Sequence, residues 1–354
     1  MPLTTNALER VVLTGLNSQP ALLLDYFSTL GFRAAIAGVR LGVFDALDEG
    51  PATAAEVAHR LGTDKRSTGS LLEALTSLHY LRRRGDRYAN APTAHKWLTK
   101  EHAPDFVEAT RFLEMAALDL WGDLEQAVRS GRPVRPFYEW LEADASRSAA
   151  FQVWTRWIAG AVAPEIVRRV PLPGGARRLI DVGGGHGRYA AAYCRARAGL
   201  SAVIFDLPTA LRSAEDLLAE PDLNGRIHLQ PGDFLADDLG AGFDVALLIN
   251  IVHGLTEDEN RRLIGRVAEA LNPAGTILIV EQFAGRAPGP AVYAIQRLLD
   301  LNYHLALGGR TYRYADASGW LTDAGFGSPR RINLRSAPGT SLAVAVRPDG
   351  RLRA

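Results

Sequence analysis

The stretch LIDVGGGHG, residues 179–187, lies near the middle of the 354-residue chain and decides its fold. Apolar residues at 179, 180 and 182 predict a short buried strand, and residues 188–197 are suited to a helix. The glycines between them allow a tight turn and a close approach of the backbone to a ligand, while the helix N-terminus offers unpaired N–H groups. This order of elements predicts a pocket for a nucleotide-type ligand.

Two kinds of nucleotide ligand are compatible with this glycine turn. Gly185, Gly187 and Ala190 satisfy G-x-G-x-x-G/A, the dinucleotide fingerprint, but a single match to that pattern is weak. Asp181 precedes the first glycine, where a carboxylate repels a pyrophosphate and holds a cationic ligand with a free amino group. With Gly183 it completes D-x-G-x-G-x-G, which favours a positively charged adenosine ligand.

Two further acids follow the next predicted strands. Asp206 ends the apolar strand 202–205, a spacing that suits hydrogen bonds to two ribose hydroxyls. Asp233, in the GDF stretch, precedes the predicted strand 243–250, where an acid can accept from an adenine amino group. Each acid alone is more typical of a helix cap or a solvated turn, but the ordered set predicts one adenosine site.

The chain resembles class I S-adenosylmethionine-dependent methyltransferases, in particular the small-molecule O-methyltransferases of the plant caffeic-acid type and their bacterial relatives. The resemblance covers most of the chain and rests on motifs in a fixed order: DVGGGHG (181–187), FDLP (205–208), GDF (232–234), INIVH (249–253), ALNPAG (270–275), IVEQ (279–282) and GGRTY (308–312). It implies S-adenosylmethionine as the cofactor. The residues expected to bind it are Asp181, Gly183, Gly185, Asp206, Leu207, Asp233, Phe234 and Asn250.

Composition argues against several other classes of protein. The chain has 40 Lys and Arg against 39 Asp and Glu, so it has no net field to attract nucleic acid or an anionic membrane. Its single cysteine, Cys194, excludes an internal disulfide, and no apolar stretch approaches the roughly 20 residues of a membrane span. Residues 1–16 lack the features of a secretory leader. We therefore expect a soluble cytoplasmic protein without nucleic-acid or membrane partners.

The first 103 residues predict a winged-helix domain. Two helices are expected within 22–47, with interruptions near Gly31 and Gly42. A further helix is expected at 53–61, which a Thr53–Glu56 capping box opens, and another at 65–78. Residues 79–91 alternate around a turn at Gly85 and Asp86, as in a small β-wing.

A winged helix raises a rival function, that of a ligand-sensing regulator that binds DNA through Lys65, Arg66 and residues 82–84. The neutral overall charge and the large ligand-binding half argue against this function, and basic clusters on wings are commonly just solvated. The family that the chain resembles uses the module for dimerisation, which implies a homodimer.

Residues 104–170 predict a helical connector that is rich in aromatic residues and broken at PVRPF, 133–137. In the family that the chain resembles, such helices close over the substrate pocket. Most of the aromatic residues are expected to pack in the core, while Trp154 and Trp157 are predicted to face the pocket.

From 171 to 354 strands and helices alternate, which predicts a Rossmann-like parallel α/β sheet with right-handed crossovers. Residues 330–336 and 341–347 flank PGT and predict a closing antiparallel hairpin. The predicted fold is thus an α/β methyltransferase domain with an all-helical winged-helix dimerisation domain before it.

His253 is the predicted catalytic residue. It follows a predicted buried strand, 245–252, and precedes a helix that a Thr256–Glu259 capping box opens. The resemblance implies that His253 takes a proton from an acceptor hydroxyl while the oxygen attacks the sulfonium methyl, and that Glu281 orients the histidine. The alternative is a buried histidine bonded to a backbone carbonyl, with Glu281 in solvent.

The chain departs from the plant enzymes at two places. Gly254 and Leu255 follow the histidine where those enzymes have Asp and Trp, and Arg310 and Thr311 stand where a second glutamate is expected. We therefore expect a less firmly oriented base. Carbon methylation, or a relative that binds the cofactor without transferring methyl, stays open as an alternative to O-methylation.

The acceptor is expected to be an aromatic or polyketide-like small molecule. Asn302 and His304, on a helix predicted at 291–307, are candidates for its side of the pocket, although a lone histidine on such a helix is more often structural. No cluster of carboxylates lies near the cofactor motifs, so no metal is expected in the site.

Overall fold

A computed structural model describes residue 15 and residues 20–349, apart from 286 and 288. The chain divides into two compact units, Met1–Ala117 and Leu118–Ala354. The predicted connector, 104–170, contains the boundary between the two, and the division into three domains at 103 and 170 stays a prediction. The stretch examined for a leader, 1–16, lies outside the described residues except for Gly15.

The N-terminal unit combines helices with a small antiparallel sheet of order β1-β3-β2. Its helices are α1 (Ala21–Leu41), α2 (Val43–Ala46), α3 (Ala54–Leu61), α4 (Lys65–Ser77), α5 (Pro92–Trp97) and α6 (Pro104–Leu118), and its strands are β1 (Ala52–Thr53), β2 (Leu81–Arg84) and β3 (Arg87–Asn90). The wing is therefore confirmed, with its turn at Gly85 and Asp86 between β2 and β3.

Of the two breaks predicted in the first helical stretch, one is confirmed. Gly42 ends α1 in the left-handed conformation, at φ 81°. The predicted break at Gly31 is wrong because α1 runs through it. A Cβ at Gly31 would lie 3.3 Å from Leu78 Cδ1, so the missing side chain lets α1 pack closely against Leu78.

Helix α1 differs from the expectation that no apolar stretch reaches membrane-spanning length. Among the helices in the described residues, this 21-residue segment meets the length and composition criteria for a span, and 22% of its apolar window is buried. A core helix of a soluble protein passes the same test. Helix α1 also contains Asp25, Arg33 and Arg40, whose charges are costly to place in hydrocarbon.

The C-terminal unit is a seven-stranded sheet with helices on both faces. Its strands are β4 (Arg178–Val182), β5 (Ser201–Asp206), β6 (Ile227–Pro231), β7 (Phe243–Ile249), β8 (Leu271–Glu281), β9 (Arg330–Asn333) and β10 (Ser341–Val346). Its helices are α7 (Leu124–Ser130), α8 (Phe137–Glu142), α9 (Ala145–Arg169), α10 (Arg188–Ala196), α11 (Pro208–Leu211), α12 (Glu215–Leu218), α13 (Glu257–Ala270), α14 (Pro290–Leu307) and α15 (Tyr314–Asp323).

The sheet order is β6-β5-β4-β7-β8-β10-β9, and the first five strands in this order are parallel. Strand β10 pairs antiparallel with both β8 and β9, so the predicted closing hairpin and the predicted fold class are confirmed. Successive residues of a strand point to opposite faces. Accordingly Leu179 packs in the core that contains α9 and α10, and Ile180 packs in the core that contains α13 and α15.

The five parallel strands all end at one edge of the sheet, where ligands bind in folds of this kind. The strand that leads to His253 is shorter than predicted, because β7 ends at Ile249 rather than at 252. Asn250 follows in the left-handed conformation at φ 57°, and His253 lies in a 3-10 turn, Val252–Gly254. The Thr256–Glu259 capping box that opens α13 is confirmed, as is the Thr53–Glu56 box of α3.

Candidate active site

The glycine loop joins β4 to α10 in a conformation that only glycine adopts easily. Gly183, Gly185 and Gly187 have φ values of 67°, 47° and 64°. A Cβ on Gly187 would overlap the side chain of Ile204, and one on Gly183 would overlap Ile251 and lie 3.5 Å from Phe234 Cε1. The predicted residues Gly183 and Phe234 are thus brought together.

Asp181 lies beneath this loop, with 1% of its surface exposed. Burial, and next the charge of Asp206, raise the pKa of its carboxyl to about 7, against a hydrogen bond from the Ala190 N–H that lowers it. Its Oδ2 has no hydrogen-bond partner within the described part of the protein. A buried carboxylate oxygen without a partner is costly, so the site favours a ligand that brings positive charge or a hydrogen-bond donor.

Asp206, at the end of β5, organises the neighbouring backbone. One carboxylate oxygen accepts from the Gly185 N–H at 2.8 Å, and the other accepts from the Leu207 N–H at 2.7 Å. Burial raises the pKa of this carboxyl, and the two N–H groups oppose the rise. A carboxylate has about four acceptor positions, so Asp206 retains capacity for two ligand hydroxyls.

Tyr138 on α8 was missed by the sequence analysis. Its side chain is 57% exposed, yet surrounding protein and the nearby Asp206 carboxylate raise the pKa of its phenol to about 12. The phenol therefore keeps its proton at neutral pH, and the charge of Asp206 acts on it. The two residues are 68 positions apart, and nothing in the local pattern around Tyr138 indicates this proximity.

The third acid has a more local role. Asp233 is exposed, and its Oδ1 accepts from the Leu235 N–H at 2.8 Å, which stabilises its own turn. Asn250, also exposed, donates its backbone N–H to Val280 O at 3.0 Å and places its side chain after β7. The structure therefore groups Asp181, Asp206 and the glycine loop by direct interactions, and contact of Asp233 and Asn250 with a ligand stays a prediction.

His253 and Glu281 form a buried pair. His253 is 8% exposed and Glu281 is fully buried. The Nδ1 atom of His253 lies 2.8 Å from Glu281 Oε1, and the backbone N–H of His253 donates to Oε2 at 3.2 Å. Because a carboxylate only accepts, Nδ1 carries the hydrogen and the lone pair lies on Nε2. The alternative of a strand-end Glu281 in solvent is wrong.

Tyr303 on α14 stacks on the imidazole of His253. The two ring centroids are 3.7 Å apart and the planes differ by 11°. Burial, and next the Glu281 charge, raise the pKa of the Tyr303 phenol above its usual value, so it stays protonated. This contact was also missed, because it depends on how α14 crosses the 3-10 turn and not on any spacing in the sequence.

The residues that depart from the plant pattern make contacts of their own. Thr311 donates its N–H and its hydroxyl to Asp300 Oδ1, both at 2.6 Å. The Arg310 N–H donates to His253 O at 2.9 Å, and a Cβ on Gly309 would overlap that carbonyl. Gly309 therefore leaves room for the His253 carbonyl that the Arg310 N–H holds, while Glu281 and Tyr303 hold the ring of His253. The expectation of a less firmly oriented base did not take these contacts into account.

The candidates for the acceptor side lie on two helices, Asn302 and His304 on α14, and Trp154 and Trp157 on α9. Asn302 Oδ1 accepts from Trp121 Nε1 at 2.9 Å, so it ties α14 to the segment before α7. Trp154 and Trp157 are half-buried and stack on each other, with centroids 5.4 Å apart. Whether these two rings or His304 face an acceptor stays a prediction, as does the absence of a metal.

The raised pKa of Asp181 leads to a prediction about stability. A group whose folded pKa, about 7, exceeds its ordinary value of 3.8 binds its proton more tightly in the folded state, so stability falls as pH rises between those values. Asp181→Asn should therefore be more stable than the ligand-free wild type at pH 8, by a few kcal/mol, and the difference should shrink towards pH 5. Urea unfolding at both pH values measures this, and a difference independent of pH would contradict it.

Comparisons with known proteins place this site in a family. Residues 121–327 match a family model described as an O-methyltransferase domain, and residues 28–100 match an O-methyltransferase dimerisation domain. A 3-hydroxy-5-methyl-1-naphthoate 3-O-methyltransferase of Streptomyces sahachiroi is 32% identical over 330 residues, 92% of this chain and 94% of that protein. An L-tyrosine C(3)-methyltransferase of Streptomyces lavendulae is 26% identical over 327 residues, 88% of each chain.

A solved structure titled as the S-adenosylmethionine-dependent methyltransferase SibL in its apo form is 25% identical, with a TM-score of 0.75 over 93% of this chain and 99% of that one. The fold and the glycine-loop site thus define an S-adenosylmethionine-dependent methyltransferase. The chain belongs to the O-methyltransferase family, and its N-terminal unit carries the dimerisation domain of that family. The resemblance and the cofactor inferred from the sequence are confirmed.

The residues of the site fit this cofactor. Asp181 offers a buried carboxylate oxygen without a partner, which suits a cationic ligand, and Asp206 retains acceptor capacity for ribose hydroxyls beside the glycine loop. Bound S-adenosylmethionine would supply a methyl group on a positively charged sulfur; a nucleophile would bond to that methyl carbon, and the sulfur would leave as a neutral thioether.

Proposed function

We propose that the protein methylates a hydroxyl of an aromatic or polyketide-like small molecule, with His253 as the general base. The observation that carries the proposal is the buried His253–Glu281 pair at 2.8 Å, because it leaves the Nε2 lone pair free at the ligand edge of the sheet. The naphthoate O-methyltransferase similar to this chain acts on a hydroxyl of an aromatic ring, which supports the acceptor class.

The pKa values of the two partners set the order of events. A phenol titrates near 10 and an imidazole near 6.5, so complete proton transfer to His253 before methyl transfer is uphill by about 5 kcal/mol. Removal of the proton by Nε2 should therefore accompany attack by the oxygen. Glu281 positions the ring and stabilises the imidazolium that forms, and Tyr303 fixes the ring plane. Alignment of the acceptor supplies much of the remaining acceleration.

For cofactor binding, we propose that Asp181 contacts the amino group of the ligand and that Asp206 contacts its ribose hydroxyls. The glycine loop lets the protein backbone approach the ligand closely. Leu207, Asp233, Phe234 and Asn250 complete the proposed site. Phe234 supports this role because it lies next to Gly183, and Asn250 because it follows β7 at the same edge.

A homodimer in the cytoplasm completes the proposal. The N-terminal unit contains the family's dimerisation domain, and α1 exposes large apolar side chains at Leu22, Leu23, Tyr26, Phe27, Leu30 and Leu41. Exposed apolar patches of this kind mark protein contacts. The basic wing supports dimerisation over DNA binding, because Arg83 already pairs with Glu73 and stacks over Tyr88.

Carbon methylation is the second candidate, because one protein similar to this chain is an L-tyrosine C(3)-methyltransferase, which by its name methylates a carbon. Incubation with methyl-labelled S-adenosylmethionine and a panel of hydroxynaphthoates and simple phenols tests the acceptor class. The proposal predicts acceptors that gain one labelled methyl group, while the corresponding methyl ethers, which lack the free hydroxyl, gain none. Methylation of the ethers would contradict the need for a hydroxyl.

Tyr303 offers a test of ring positioning. Tyr303→Ala removes a stacked ring, and aromatic pairs are worth about 0.5–1.5 kcal/mol, so kcat should fall roughly 2- to 12-fold. Tyr303→Phe keeps the ring and should stay close to wild type. An equal loss in both variants would instead assign the effect to the hydroxyl.

A further inference from the structure

Three potential metal ligands meet in the N-terminal unit, and neither the motifs nor the comparisons assign them a role. Asp48 follows α2, His95 lies on α5, and His102 lies in the turn before α6. One ligand atom from each side chain lies within 4.8 Å of the other two. Because 47 positions separate Asp48 from His95, the grouping is a product of the fold and is invisible in the local sequence.

The distances are close to those of a coordination sphere. Asp48 Oδ1 lies 2.7 Å from His95 Nδ1, and Asp48 Oδ2 lies 3.7 Å from His102 Nδ1. Zinc binds nitrogen and oxygen at about 2.0–2.2 Å in a tetrahedron, so ligand atoms around it lie roughly 3.3 Å apart. The two observed separations, one to each carboxylate oxygen of Asp48, lie on either side of that value.

One divalent cation could be shared by the carboxylate of Asp48 and the two imidazoles. The Asp48 side chain is 13% exposed, so its carboxylate requires a positive partner or strong donors. The two imidazole centroids are 4.1 Å apart, and both rings lie beside the same carboxylate. A single divalent cation satisfies the carboxylate and both neutral imidazoles at once.

Surrounding contacts hold the ligands in place. Thr99 is fully buried, and its hydroxyl donates to His95 O at 2.8 Å, which holds the backbone that carries His95. The same hydroxyl lies 3.0 Å from His102 Nδ1, a contact that a metal on that nitrogen would replace. Asp45 accepts from the Lys100 N–H at 2.8 Å, which ties the turn that carries His102 to α2. Such supporting bonds orient metal ligands and raise affinity. His95 and His102 are 52% and 37% exposed, which leaves room for a water molecule as a fourth ligand.

We propose that Asp48, His95 and His102 form a zinc site that ties α2, α5 and the turn before α6 together. Imidazole and carboxylate ligands suit Zn²⁺, with Cu²⁺ and Ni²⁺ as chemical competitors. The site is separate in sequence from the cofactor motifs, and its role is structural, since binding to the folded state alone stabilises that state.

Calorimetric titration of the untagged, chelator-treated full chain with ZnCl₂ tests the proposal. About one Zn²⁺ per chain should bind, and His95→Ala, His102→Ala and Asp48→Asn should each weaken binding at least about tenfold. His59→Ala is the matched control, because His59 is an exposed histidine of α3 in the same unit, and it should bind as wild type does. Circular dichroism establishes that each variant is folded.

Thermal unfolding gives a second readout that does not depend on methyl transfer. Excess Zn²⁺ should raise the Tm of the wild type and of His59→Ala, but not that of the His95→Ala/His102→Ala double variant. Saturable binding that is unchanged in the double variant would place the metal elsewhere and overturn the proposal. Absence of saturable binding to the wild type would leave only a hydrogen-bonded cluster and would also overturn it.

Discussion

Replacement of His253 with alanine is expected to lower kcat by about two to four orders of magnitude, the usual range for loss of a general base. The acceptor hydroxyl would then have to lose its proton to solvent from inside a site where His253 is 8% exposed. Affinity for S-adenosylmethionine should change little, because His253 is not among the residues assigned to the cofactor. Steady-state kinetics with a hydroxynaphthoate and calorimetry with the cofactor measure the two quantities.

His228→Ala provides the control for this experiment, because His228 is exposed on β6 of the same unit. It should keep wild-type kcat. A fall of less than about tenfold in His253→Ala, with cofactor affinity intact, would favour transfer by proximity alone or methylation at carbon.

Asp206→Ala is expected to weaken cofactor binding by at least about 100-fold. The carboxylate is assigned two hydrogen bonds to ribose hydroxyls, and a hydrogen bond to a charged group contributes about 1.5–3 kcal/mol. The substitution also leaves the Gly185 and Leu207 N–H groups without the acceptor that holds the loop. Calorimetric titration with S-adenosylmethionine and with its demethylated product measures the loss.

The matched control is Asp222→Ala, an exposed aspartate of the same unit whose carboxylate pairs with Arg195. It should bind the cofactor as the wild type does. If folded Asp206→Ala bound within about threefold of wild type, the assignment of the ribose to β5 would be wrong.

Elements determined by neighbouring residues were predictable from the sequence. The glycine loop, both capping boxes and the wing depend on residue types a few positions apart, and all were placed correctly. The parallel sheet followed from the alternation of strands and helices, and the order of acids after strand ends indicated the edge at which we propose that the cofactor binds. In each case local backbone preference and burial act in the same direction.

Features that depend on tertiary contact were not predictable. A glycine usually interrupts a helix, but Gly31 serves instead as the point where α1 packs on Leu78. The apolar residues up to Val252 predicted a continuous strand, but Asn250 adopts the left-handed conformation and the strand ends before it. The ring of Tyr303 over His253 and the phenol of Tyr138 beside Asp206 come from helices that approach the sheet from elsewhere in the chain.

The central claim is that the His253–Glu281 pair activates a hydroxyl for methylation by the cofactor held at the glycine loop. The most direct test is NMR of the product formed from a hydroxynaphthoate and S-adenosylmethionine carrying a ¹³C-labelled methyl group. We predict a labelled methoxy carbon bonded to oxygen, formed by the wild type and almost absent with His253→Ala. A labelled methyl bonded to a ring carbon, or a methoxy product formed equally well without His253, would contradict the account.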